Sequence, residues 1–165
     1  MIQSNSSPPR CLPLLKEIAN DIEELQASHT AQAVVYFAKR STLYMLLNSI
    51  LDSDIATTID RDSIPELDFL SHISFELFEA SNRDQGDSVS SSPYRIRVTI
   101  SPGCHAADAL EVRLDSKHCI DCSPRESLTP YVDCRTVIDS LRSRVNSYVS
   151  QSSSISSAEI ERKKS

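Results

Sequence analysis

Only two glycines, Gly86 and Gly103, occur in this chain of 165 residues, and their scarcity narrows its chemistry before any pattern is read. A G-x-G-x-x-G dinucleotide turn, a G-x-x-x-x-G-K-S/T phosphate loop and a G-x-S-x-G nucleophile elbow each need several glycines close together. None of the three can be built here. The net charge of −6 leaves no general basic face to neutralise phosphates, so nucleic acid is not an expected partner. No apolar run approaches the ~20 residues that span a bilayer, so no membrane partner is expected either. The opening Met1-Ile2-Gln3-Ser4-Asn5-Ser6-Ser7-Pro8-Pro9 lacks the basic start and apolar core of a signal peptide. With 39% hydrophobic and 24% charged residues the chain has enough apolar material for one folded domain, and the expected location is cytoplasmic. Five cysteines (Cys11, Cys104, Cys119, Cys122 and Cys134) are an odd set that reads as reduced thiols.

Along the chain, residues 1–11 are polar and read as a flexible lead-in. Leu14, Leu15, Ile18, Ile22 and Leu25 recur at spacings of three and four, the stripe of an amphipathic helix. Ala33-Val34-Val35-Tyr36-Phe37-Ala38 has the composition of a buried strand. A polar break, Lys39-Arg40-Ser41-Thr42, follows, with Ser41 or Thr42 as the expected N-cap of a helix over Leu43–Leu51. Ser71–Ala80 alternates as a strand, Ser81–Ser92 is a long loop, and Tyr94, Ile96, Val98 and Ile100 mark a second strand, together an antiparallel hairpin. Leu110–Leu114 reads as a third strand and Ser127–Tyr148 as a helix. The Ser-rich stretch from Ser150 to Ser165 reads as a disordered tail. This order belongs to a mixed α/β (α+β) layer over residues 12–149.

Several groups could carry chemistry. Cys104-His105 and His118-Cys119-Ile120-Asp121-Cys122 hold zinc-type donors, but a second C-x-x-C is missing and the preferred reading is structural thiols with no metal. His29, His72, His105 and His118 are the four imidazoles, and none stands in a recognisable arrangement with an orienting carboxylate. Lys39 and Arg40 follow an expected strand, where an α/β protein places its site, and could hold a phosphate; Arg95 and Arg97 are a second cation pair.

Lys39-Arg40-Ser41-Thr42-Leu43-Tyr44-Met45-Leu46-Leu47-Asn48 resembles the segment that closes the phosphatase site of the fungal inositol pyrophosphate kinase/phosphatases, the inositol hexakisphosphate and diphosphoinositol-pentakisphosphate kinases. Pro65-Glu66-Leu67-Asp68-Phe69-Leu70-Ser71-His72-Ile73, Phe75-Glu76-Leu77-Phe78-Glu79 and Ser101-Pro102-Gly103-Cys104-His105 follow in the same order. Asp108, Leu110, Val112, Leu114 and Ser127-Leu128-Thr129 extend the resemblance, which covers roughly Val34 to Val145. It implies a large parent with an ATP-grasp kinase domain, which uses ATP and Mg, and a histidine-acid-phosphatase-like domain of which this chain matches only the C-terminal part. It also implies a partial histidine-phosphatase-like mixed sheet flanked by helices.

Two departures bear on activity. The family's Arg-His-x-x-Arg motif, whose histidine attacks phosphorus, has no counterpart, because no Arg-His dipeptide occurs in the chain. The family's later histidine falls at Thr42, and a threonine hydroxyl cannot replace an imidazole as proton donor at neutral pH. No catalytic residue and no cofactor is therefore expected in this chain itself. Lys39 and Arg40 remain as phosphate-binding candidates, with inositol polyphosphates reached through the parent enzyme and the missing remainder of that parent as a partner. A fragment of this kind should expose apolar surface at Val34–Ala38, where parallel neighbours are lacking. The alternatives are a non-catalytic module binding an inositol polyphosphate through Lys39, Arg40, Arg95 and Arg97, and a phosphatase that uses His72 or His105.

Overall fold

The computed structural model describes residues 11–28, 30–79, 92–104 and 122–162, together with Leu114, Ser116, Lys117 and Ile120; over 151–162 it describes the backbone. The expected lead-in (except Cys11), nearly all of the Ser81–Ser92 loop and all but Leu114 of the Leu110–Leu114 strand lie outside these residues, as do His29, His105, His118 and Cys119.

Helix α1 (Leu12–Ala27) carries the expected stripe, burying Leu15, Ile18, Ala19 and Ile22, with a proline in its first turn, where a missing N–H breaks no helical bond. Helix α2 spans Arg40–Leu51 and buries Leu46, Leu47, Ser49 and Ile50. Strands β1 (His72–Glu79) and β2 (Tyr94–Ser101) form the expected antiparallel hairpin, with Phe75 opposite Val98 and Leu77 opposite Ile96. Two short strands, β3 (Glu126–Ser127) and β4 (Val132–Asp133), pair with the other edge of β2. Helix α3 runs from Cys134 to Arg162 and packs along α1, with Arg142 donating to both Glu23 carboxylate oxygens at 2.8 and 2.7 Å.

One face of the hairpin and the three helices enclose the core. Leu15, Ile50, Leu67, Ile96, Val98, Leu128 and Val137 are fully buried in it. Alternation explains the division: Ile96, Val98 and Ile100 point inward, while Arg95 and Arg97 face the other way. At 25 cal/mol per Å² of apolar surface, each such side chain contributes roughly 1.5–3 kcal/mol.

Four expectations need correction. Ala33–Ala38 is neither a strand nor buried: Val35 is 71% and Phe37 98% exposed, because no strand among the described residues pairs with this segment. Helix α2 starts before Ser41 and Thr42, with Lys39 as its N-cap residue and no side-chain cap bond. Helix α3 begins at Cys134 rather than Ser127, because β2 claims the preceding residues. Val98 N donates to Thr129 Oγ1 at 2.9 Å, Leu128 N donates to Val98 O at 2.8 Å, and Asp133 Oδ1 accepts from Arg135 N to start the helix. The Ser-rich stretch expected to form a tail without regular structure is helical through Arg162. Adding residues to a helix already nucleated and packed costs far less than starting one.

Candidate functional site

The Lys39–Asn48 and Pro65–Ile73 segments meet at the N-terminal end of α2, and the turn after β2 holds the second of them. Arg40 Nη1 donates to Leu67 O at 3.3 Å and lies 3.4 Å from Glu66 Oε1. Tyr44, one turn further along α2, accepts from Leu67 N on its hydroxyl at 3.0 Å. Leu67 is buried at 1% exposure, so its backbone is held on both sides by α2. The loop it opens is then clamped by the turn after β2: Asp68 N donates to Pro102 O at 2.9 Å and Cys104 N to Phe69 O at 2.8 Å.

Gly103 makes this approach possible. Its φ is +93°, and a Cβ there would collide with Phe69 O and come within 2.6 Å of Ser71 N. Leu70 also adopts a left-handed backbone, at φ 62°, which costs a branched side chain roughly 1–2 kcal/mol. The surrounding bonds hold it there, including Phe69 N to Asp68 Oδ1 at 2.8 Å. The turn is tied onward as well, by Ser123 N to Gly103 O at 2.9 Å and Ser101 Oγ to Ser123 O at 2.8 Å. These contacts bring Cys122 Sγ to 3.3 Å from Cys104 Sγ.

Lys39 and Arg40 both project toward solvent, and the Arg40 side chain is 59% exposed. Thr42, half-buried in the first turn, has its amide bonded to Lys39 O at 2.8 Å. His72 is exposed with Nδ1 3.0 Å from Leu70 O, a backbone carbonyl rather than the carboxylate that orients a proton-transferring histidine. Arg95 and Arg97 do not join Lys39 and Arg40. Arg95 faces Asp133 at 3.4 Å, and Arg97 donates to Glu76 Oε2 from Nε and Nη2 at 2.9 and 2.7 Å. Glu76 lies four residues along β1 from His72, about 13 Å at the rise of a strand. Arg97 also lies over the edge-to-face pair Phe78 and Tyr131, 5.5 and 5.2 Å from their ring centres. Among the described residues no group of three or more metal-binding side chains forms.

A groove of about 480 Å³ runs beside this junction, between α1, residues 32–38, the start of α2 and the first half of β1. It is lined by apolar side chains such as Ile18, Val34 and Phe75. Tyr36 is fastened across it, its hydroxyl donating to Asp21 Oδ2. Partial burial and then this carboxylate push the Tyr36 phenol from 10.0 up to about 12. Sequence reading singled out Lys39, Arg40 and Thr42 and grouped Cys104 with Cys122 only as zinc-type donors, while it missed the roles of Tyr44 and Glu66. The Gly103 turn itself was legible, because Ser101-Pro102-Gly103 carries the Pro-Gly pair that marks a turn.

A family model described as the histidine phosphatase superfamily, branch 2, matches residues 4–101. The chain is 44% identical over 133 residues to the inositol hexakisphosphate and diphosphoinositol-pentakisphosphate kinase of Saccharomyces cerevisiae. That match takes in 81% of this chain and 11% of the yeast protein, so the chain spans about a tenth of its relative's length. No solved structure matches.

Proposed function

The chain belongs to the histidine phosphatase superfamily, branch 2, and from that premise we propose that it is the C-terminal part of the phosphatase-like domain of an inositol pyrophosphate kinase/phosphatase, without turnover of its own. The parent would phosphorylate inositol hexakisphosphate and diphosphoinositol pentakisphosphate from ATP and Mg, chemistry that no glycine-rich loop of this chain could support. The observation that carries the reading is the exposed segment Val34-Val35-Tyr36-Phe37. It has strand composition, ends two residues before Lys39, the N-cap residue of α2, and lies across a groove from β1, which pairs among the described residues only with β2. An apolar segment of that kind is stable when strands on both sides take up its backbone groups and helices cover its faces.

In the completed domain Lys39 and Arg40 would stand at the mouth of the sheet. Arg40 is steered by Leu67 O and Glu66 rather than locked, with half its surface free to meet a phosphoryl oxygen. Thr42 occupies the place of the family's second histidine and supplies no proton at neutral pH. The remaining requirement, a nucleophilic histidine flanked by arginines, would come from outside this sequence. The inositol polyphosphate is thus a ligand of the whole domain, with this chain as one wall of the cleft.

Phosphate release by the purified chain from diphosphoinositol pentakisphosphate tests this. The expected rate is that of buffer alone, and Thr42→His leaves it there because the nucleophile is still missing. Release above buffer by the unmodified chain, abolished by His72→Ala or His105→Ala, would overturn the proposal.

A further inference from the structure

We propose that Cys104 and Cys122 form an oxidisable dithiol, a modification site at which a small disulfide such as oxidised glutathione is exchanged for an intrachain cross-link. The two sulfurs are 3.3 Å apart although 18 residues separate them in sequence. Their proximity is built by backbone rather than left to side-chain rotation. Cys104 N is bonded to Phe69 O, and the neighbouring Gly103 O accepts from Ser123 N, the residue after Cys122. Ser101 Oγ adds a second tie to Ser123 O. Both thiols are only partly buried. The other two described cysteines are inert by comparison: Cys11 and Cys134 are 1% and 0% exposed, and burial pushes both thiols up, Cys134 to about 11.

The chemistry balances without any further reagent. One cysteine thiolate attacks glutathione disulfide, forming a mixed disulfide and expelling one glutathione thiolate. The second cysteine then attacks the protein sulfur of that mixed disulfide and expels the other glutathione. The protein loses two protons and two electrons, and two glutathione molecules leave reduced. The new bond would fasten the turn that clamps the Asp68–Phe69 backbone, whose neighbour Leu67 offers its carbonyl to Arg40. The site thus sits one loop away from the cation of the proposed cleft without being part of it.

The full chain is incubated with excess oxidised glutathione, alkylated, digested with trypsin and mapped by mass spectrometry without reduction. The expected product has lost two hydrogens and links the Cys104 peptide (Val98–Arg113) to the Cys122 peptide (His118–Arg125), and dithiothreitol restores both. Because the second peptide also holds Cys119, the Cys119→Ser chain is run in parallel and is expected to keep the link. Cys104→Ser is expected to convert it into a glutathione adduct on Cys122. Loss of the link in Cys119→Ser, or glutathione on each cysteine separately with no link in the unmodified chain, would overturn the proposal. So would two thiols that stay fully open to alkylation.

Discussion

Replacing Gly103 with alanine tests whether the junction beside α2 is held as described. Two costs add. Gly103 sits at φ +93°, and a residue with a Cβ in the left-handed half of backbone space loses roughly 1–2 kcal/mol. The new Cβ would also collide with Phe69 O and reach Ser71 N at 2.6 Å, both backbone atoms that no rotamer change can move aside. The loop would have to retreat, stretching Asp68 N to Pro102 O and Cys104 N to Phe69 O, each bond contributing about 0.5–1.5 kcal/mol. Gly103→Ala should therefore destabilise the chain by about 2–5 kcal/mol. The measurement is urea unfolding followed by far-ultraviolet circular dichroism, comparing midpoints at an unchanged slope. Ser41→Ala, at an exposed position of α2, serves as a control expected within about 0.5 kcal/mol of the parent. If Gly103→Ala also fell within about 0.5 kcal/mol, the turn would not be clamping the Leu67–Ser71 loop and the argument would fail.

Val35→Ser combined with Phe37→Ser should leave the unfolding midpoint of the chain within about 0.5 kcal/mol, since both side chains are largely in solvent, while binding of an apolar dye falls. A large loss of stability would show that the segment is packed after all. Tyr36 carries the pH signature. Its folded value of about 12 lies above the ordinary 10.0, so its bond to Asp21 stabilises fully below about pH 10, and the benefit is lost as pH rises through 12. Unfolding midpoints of the parent and Tyr36→Phe, measured at pH 9 and at successive steps above 10, should therefore converge; a constant difference would contradict the assignment.

What the sequence made legible was set by local periodicity. The Leu15–Ile18–Ile22 stripe gave α1, and the Tyr94–Ile100 alternation gave the hairpin, because each pattern is complete within the element and its single buried face. Val34–Phe37 misled because strand composition reports what a segment can do when neighbours exist, and those neighbours are not among the described residues. The start of α3 was misplaced because Thr129 and its flanks are recruited by β2, a partner 31 residues away from Thr129 that no local pattern announces. The site divides in the same way. Lys39 and Arg40 were visible as a polar turn before a helix, whereas the anchors of Arg40 at Leu67 and Glu66 and the approach of Cys122 to Cys104 depend on the folded path of the chain. The resemblance bridged part of that gap, since the Lys39–Asn48, Pro65–Ile73 and Ser101–Cys104 segments it lined up in order meet in space.

The central claim is that these residues are one wall of a larger phosphatase-like domain, and the size of the natural polypeptide tests it most directly. Antibodies raised to this chain and applied to an extract of its own cells should detect a band far above 18.3 kDa. A band near 18.3 kDa alone would contradict the account, because the segment Val34–Phe37 would then have no sheet to join.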